Sequence, residues 1–303
     1  METRGIPVIL DTDIGTDIDD TWALAMLLGC PELDLKLVTT ATGDTEYRAR
    51  LAARFLEVAG RADVPVGVGV PTVMKDDHRN QAPWVAGYEL RHYPGRVHAD
   101  GAGALADVIR RSPEPVTVIA IGPLSTVAAA LVRDPEIAGR ARFVGMHGSI
   151  AWSHHGAGGV IAEYNVKHDI AACQAVFAAP WKKVITPLDT CGRVRLTGEK
   201  YRAVAESADP LARAVIANYE VWKVSGGWVK TPGESSILFD CVAVYLAFAD
   251  ALLDVRRMTL AVTDDGFTRE DPAGADIRVA MAWKDLAAFE DLIVGRLTGG
   301  VVR

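Results

Sequence analysis

Short apolar runs of strand length, each followed by a stretch with helical spacing, recur along the chain, and no other property restricts its fold as much. Strands are predicted over residues 7–10, 35–40, 64–70, 116–121, 143–146 and 183–188, most of them rich in β-branched side chains. Helices are predicted over 21–28, 47–58 and 127–132, the last opened by Pro123-Leu-Ser-Thr with its proline at an early position. Such alternation implies right-handed βαβ crossovers. The expected class is therefore α/β, with a mostly parallel central sheet and helices on both faces. In these sheets ligands sit beyond the carboxyl ends of the strands, so the residues just after each strand are the ones to inspect.

Composition removes several function classes. Lys and Arg number 32 against 39 Asp and Glu, a balance of −7 that argues against a general nucleic-acid binder. Cys30, Cys173, Cys191 and Cys241 are widely spaced and form no metal-binding pair. They read as reduced, mostly buried thiols. No apolar run is long enough to span a bilayer, and Met1 leads into the first strand without a basic or long apolar segment. A soluble, cytoplasmic protein without membrane partners is expected. Residues 78–103 read as a long loop region rich in His, Pro and Gly, and 211–229 as a helix plus loop that could form a lid. No repeat, low-complexity tract or flexible linker divides the 303 residues.

Directly after the first strand, Asp11-Thr-Asp13-Ile-Gly15-Thr-Asp17-Ile-Asp19-Asp20 packs five carboxylates into ten residues. Helix capping and the helix dipole account for one or two. Five like charges raise one another's pKa unless something neutralises them, and a hard divalent cation such as Ca²⁺ does so with oxygen ligands. An EF-hand is excluded, because positions six and twelve counted from Asp11 hold Thr16 and Trp22 instead of glycine and glutamate. A haloacid-dehalogenase-like phosphatase, with Asp11 as nucleophile, stays open at this point.

The same segment resembles the opening Asp-x-Asp-x-Gly-x-Asp-Asp motif of the inosine–uridine nucleoside hydrolase family. Further likeness follows in order along the chain: Thr39-Thr-Ala-Thr-Gly43-Asp44, Ile121-Gly122-Pro123-Leu124, Ala162-Glu163-Tyr164-Asn165 with His168-Asp169, Leu238-Phe239-Asp240, and a final strand and helix over 277–283 and 287–297. The resemblance implies a single nucleoside-hydrolase-like domain over residues 1–303 with an open doubly wound fold. It also implies calcium-dependent hydrolysis of the N-glycosidic bond of a ribonucleoside or analogue, and a homodimer or homotetramer. Asp13 would bind Ca²⁺ and take a proton from the attacking water. Asp20, Asp240 and the main-chain carbonyl of Ile121 would complete the metal site. Asp19, Asp44 and Asn165 would bind ribose hydroxyls, and Glu163 the hydroxymethyl end. The chemistry is coherent, since glycoside cleavage passes through an oxocarbenium-like transition state that carboxylates stabilise. A homologue that binds calcium and a ribosyl ligand without turnover is the other alternative.

Several residues depart from the family pattern. Asp17-Ile18 lengthen the first motif by two, so Asp19-Asp20 at the helix start are matched to its adjacent pair. Asp44 stands where many members have asparagine, and Ala157 falls about where a sugar-binding asparagine is expected. Phe239 occupies a position where relatives often carry a histidine that assists base departure, which leaves that task to another group. His154 and His155 lie in a loop near enough to be candidates, His78, His92 and His98 lie in the long loop region, and Trp84, Trp222 and Trp228 are candidates for stacking on a base.

Overall fold

Val8, Ile9 and Leu10 leave no exposed surface because the first strand is covered on both faces: Val8 and Leu10 join one apolar cluster and Ile9 the other. That strand, β1 (Ile6–Thr12), lies inside a ten-stranded sheet. The computed structural model describes residues 5–74, 78–154, 158–229 and 231–299.

From β1 the chain runs through α1 (Asp19–Leu28), β2 (Leu33–Thr40), α2 (Thr45–Val58), β3 (Val66–Gly67), β4 (Val97–His98), α3 (Gly101–Arg111), β5 (Val116–Ala120) and α4 (Ser125–Arg133). It continues with β6 (Ala141–Met146), α5 (Tyr164–His168), α6 (Ile170–Ala178), β7 (Lys182–Thr186), α7 (Leu188–Cys191), α8 (Gly198–Ala205) and α9 (Pro210–Ser225). The last elements are α10 (Cys241–Leu246), β8 (Leu253–Val262), β9 (Thr268–Glu270), β10 (Ala275–Trp283) and α11 (Leu286–Leu297). The strand order is β4-β3-β2-β1-β5-β6-β7-β10-β8-β9. Pairing is parallel from β4 to β10, and β8 and β9 add an antiparallel margin. Helices α1, α2, α9, α10 and α11 cover one face, and α3, α4 and α6 the other. The expected mostly parallel, doubly wound α/β architecture is what the chain forms.

Differences from the sequence reading have local causes. The strand foreseen over 64–70 shrinks to Val66–Gly67, because the amides of Gly69 and Val70 donate to the hydroxyls of Thr40 and Thr126 and so leave the ladder. The segment 183–188 ends as a strand at Thr186, where Pro187 starts α7. The region 78–103 holds two 3-10 turns, Ala82–Val85 and Leu90–His92, as well as β4 and the first turn of α3. All four cysteines are buried and free. Among the described residues no helix is long and apolar enough to cross a membrane.

Candidate active site

The chain leaves β1 toward β2 on one side and returns to place β5 on the other, so the strand order reverses between β1 and β5. A crevice opens at the carboxyl ends of such a pair. Asp11 is level with Ala120 in the register, and the Ile121 amide donates to the Asp11 carbonyl at 2.9 Å. Asp13 therefore emerges beside the Ile121-Gly122 turn. A Cβ on Gly122 would lie 2.8 Å from Asp13 Oδ1, so glycine is what allows this approach.

The acidic loop is pinned through its own backbone. Arg48, fully buried on α2, donates to the carbonyls of Asp13 and Ile14 and, at 2.7 Å, to that of Thr42. The Tyr47 hydroxyl donates to the Gly15 carbonyl at 3.1 Å. Asn80 Nδ2 and Trp222 Nε1 donate to Thr16 at 2.9 and 3.0 Å, and Gln81 Nε2 donates to Asp17 at 2.6 Å. Five consecutive carbonyls are thus each held by a side chain from elsewhere in the fold. Gly15 sits at φ 127°, and a Cβ there would meet Tyr47 and Leu51 at 2.7 and 2.8 Å.

Asp19 and Asp20 occupy the first turn of α1, and Asp240 immediately precedes α10, which packs against α1. The three side chains are buried and offer carboxylate oxygens within 4.8 Å of one another. Among the described residues this is the one such group of potential metal-binding side chains. Burial first, and repulsion among neighbouring aspartates second, hold all three well above the usual carboxylate range, and Asp19 and Asp240 share a hydrogen bond that requires a proton. Thr12 Oγ1 donates to Asp20. Burial likewise pushes Asp17 up to about 8 and Glu163 up to about 7. The nearby positive charge of Arg48 is committed to backbone carbonyls. A cluster of hard oxygen donors held unionised by burial and then by mutual repulsion suits a hard divalent cation, and so the residues fit the metal ion that the resemblance implies.

These carboxylates open onto a cavity of about 410 Å³. Of the residues singled out in the sequence, Asp13, Asp19, Asp20, Ile121, Glu163, Asn165 and Asp240 all line it, as does the additional Asp17. Asn165 Nδ2 donates to the carbonyls of Ile121 and Met146, both at 3.0 Å. Glu163 caps α5 and accepts from the amides of Gly148, Asn165 and Val166. The tightest trio is Asp19, Asp20 and Asp240, so Asp19, read as a ribose ligand, lies closer to the other two than that role alone needs.

Asp44, read in the sequence as a ribose ligand, stands apart from the others. It does not line the cavity: its carboxylate caps α2 through the Tyr47 amide at 2.9 Å and pairs with Arg79 at 2.8 Å. Asp11, the nucleophile of the alternative phosphatase reading, stands apart as well. It is fully buried, outside the cavity lining, and bonded to Thr39 Oγ1 at 2.5 Å, while burial pushes it up to about 7. A phosphatase nucleophile must reach phosphorus, and Asp11 cannot do so from there.

Of the aromatic candidates only Trp228 lines the cavity; Trp222 is buried as a backbone donor, and Trp84 packs against Phe55 and Arg54. His154 lines the cavity, whereas His78, His92 and His98 do not. His155 and Ala157 lie outside the described residues. The sequence reading missed Arg48, Asn80, Gln81 and His147. Arg48 had a signal, being a cation inside the apolar stripe of α2. His147 is fully buried with Nε2 3.2 Å from the Gly122 carbonyl, and burial pushes it down to about 3.

Comparison with known proteins follows the same line. The family model described as inosine-uridine preferring nucleoside hydrolase matches residues 8–288. The chain is 31% identical over 234 residues to the non-specific ribonucleoside hydrolase RihC of Escherichia coli, a match covering 73% of this chain and 75% of that protein. A plant nucleoside hydrolase structure aligns with a TM-score of 0.81 at 22% identity, covering 97% of this chain and 99% of the other. A purine-preferring ribonucleoside hydrolase from Gardnerella vaginalis aligns at 0.78 with 21% identity, covering 97% and 98%. The two structural likenesses establish a shared fold.

Proposed function

Because the chain belongs to the inosine-uridine preferring nucleoside hydrolase family, we propose that it hydrolyses the N-glycosidic bond of a ribonucleoside or close analogue, with calcium as its metal ion. The observation that carries this reading is the convergence of Asp13, Asp19, Asp20 and Asp240 on one cavity, three of them within 4.8 Å of one another. Asp20 and Asp240, with Asp13 and the Ile121 carbonyl, would hold the ion. When bound, calcium offsets the clustered charge, orients vicinal hydroxyls and makes water a better nucleophile.

The chain's own groups supply the remainder. Asp13 accepts the proton of the water that adds to C1′. Asp19 and, through Oδ1, Asn165 accept hydrogen bonds from ribose hydroxyls, and Glu163 faces the hydroxymethyl end. The carboxylate-rich wall favours the positive charge that develops on the ribosyl ring. Trp228, half exposed on the cavity rim, offers a face for the base. The free thiols fit a reducing compartment such as the cytoplasm. A single domain and a homodimer or homotetramer complete the reading.

The test is ribose release from a panel of ribonucleosides. Activity is expected with the metal-loaded protein, is expected to vanish with EDTA and return with Ca²⁺, and is expected to fall by about 10²–10⁴ in Asp13→Ala without loss of helical signal. Calcium binding without release of ribose from any nucleoside would instead favour a non-catalytic binder.

A further inference from the structure

Breaking a C1′–N bond sends its electron pair to the base, and most bases leave slowly unless a proton arrives with that pair. The carboxylate wall serves the ribosyl side, and Phe239 beside Asp240 carries no proton. We infer that His154 protonates the departing base and that Asp189 is the positioning residue that holds it in place; this rests on the hydrolase reading above.

His154 lines the same cavity as the aspartates. Its ring stands edge-on to Phe239, with centroids 5.7 Å apart and planes at 83°. The imidazole thus packs against the residue next to Asp240, on the same cavity but outside the carboxylate trio. Among the described residues, the other titratable groups besides carboxyls that line the cavity are Tyr164 and Lys167. The Tyr164 ring already packs at a tilt against that of His168, with centroids 3.9 Å apart. At neutral pH an imidazole is better matched to proton donation than a phenol or an ammonium.

The loop that carries His154 is built to stay put. Asp189, buried in α7, accepts from three successive amides: Ile150 at 2.9 Å, Ala151 at 2.8 Å and Trp152 at 3.2 Å. Ser149 Oγ donates to the Trp152 carbonyl at 2.9 Å and accepts from the Ile161 amide at 3.2 Å, tying the loop to its far side. Gly192 at the end of α7 lies directly under His154, where an added Cβ would be 3.5 Å from its Cα. A buried carboxylate spent on three loop amides restrains the backbone just before His154.

The step balances. The C1′–N bond breaks, its pair passes to the base nitrogen, and that nitrogen takes the imidazolium proton. Water adds to C1′ and gives its proton to Asp13, and exchange with solvent restores both residues. The products are free ribose and neutral base.

The test compares a ribonucleoside with p-nitrophenyl β-D-ribofuranoside, whose nitrophenolate departs without a proton. For His154→Ala and His154→Gln, kcat on the nucleoside is expected to fall about 10²-fold more than kcat on the aryl riboside, with KM on the nucleoside within about threefold. Asp189→Ala is expected to shift the ratio in the same direction, which a loss of general structure would not do. An unchanged ratio overturns the assignment and points to a cavity carboxyl as the acid. Equal losses on both substrates also overturn it. If the unmodified protein cleaves nucleosides but the His154 variants leave the ratio unchanged, the assignment fails while the hydrolase reading stands; if it cleaves no nucleoside, the hydrolase reading fails and the assignment with it.

Discussion

A guanidinium with no exposed surface is costly unless every donor has a partner, and Arg48 meets that condition by holding the backbone that carries the acids. Its charge also lowers the pKa of Asp20, though less than burial and the neighbouring aspartates raise it. Arg48→Met keeps the length but leaves the carbonyls of Asp13, Ile14 and Thr42 without that donor. A loss of about 3 kcal/mol is expected in urea unfolding, together with weaker calcium binding. A change below about 0.5 kcal/mol would mean that the loop is held by Tyr47, Asn80, Gln81 and Trp222 alone. At this scale the chemistry-bearing residues were readable because Asp, Glu and Asn in a dense motif have few other uses. Asn80 and Gln81 were not, since an amide in a long loop looks the same whether it faces water or a buried carbonyl. Asp44 shows the converse: its position after β2 suggested sugar binding, but a helix start and Arg79 claim its carboxylate.

Two helix starts supply the trio of acids. Asp19 and Asp20 open α1, and Asp240 opens α10, so the positive ends of two helices point toward the cluster and relieve part of its repulsion. The remainder appears as raised pKa values, and these make stability depend on pH. Asp11 and Glu163 at about 7 and Asp17 at about 8 keep their protons in the folded protein over a range where the unfolded chain has lost them. Their favourable contribution is full below about pH 4 and is lost as pH rises through about 7–8. The metal-free protein is therefore expected to melt at a lower temperature at pH 8 than at pH 5.5, and millimolar Ca²⁺ to raise the midpoint more at pH 8, because the ion competes with protons. A calcium effect that is larger at pH 5.5, measured by thermal unfolding, would contradict this. Elements with plain periodicity were legible: β1, α1, β2, α2 and β5 fall within a few residues of their predicted bounds. The pair β8 and β9 was not, because Arg256 and Arg257 interrupt the apolar pattern of an antiparallel margin. The strand foreseen over 64–70 was found but drawn too long, because the amides that follow β3 choose threonine hydroxyls over the ladder.

Across the whole molecule, residues 13 and 240 meet because a doubly wound sheet delivers successive strand ends to one edge, and α10 folds back against α1 there. The sequence predicted this convergence through the order of its motifs. It carried no sign of the clamp on the 13–17 backbone, of Asp189 beneath the 150–152 loop, or of the closeness of Asp19 to Asp240, all of which depend on distant segments packing together. The mild acidic excess of the composition is concentrated where the fold can use it: Asp11, Asp13, Asp17, Asp19 and Asp20 are crowded into one turn of chain beside a cavity of about 410 Å³. The account stands or falls on what neutralises that charge. A crystal structure of protein grown with Ca²⁺ tests it most directly. The predicted result is an ion about 2.3–2.6 Å from carboxylate oxygens of Asp13, Asp20 and Asp240 and from the Ile121 carbonyl. Density for calcium elsewhere, with Asp19 and Asp240 still sharing a proton, would contradict it.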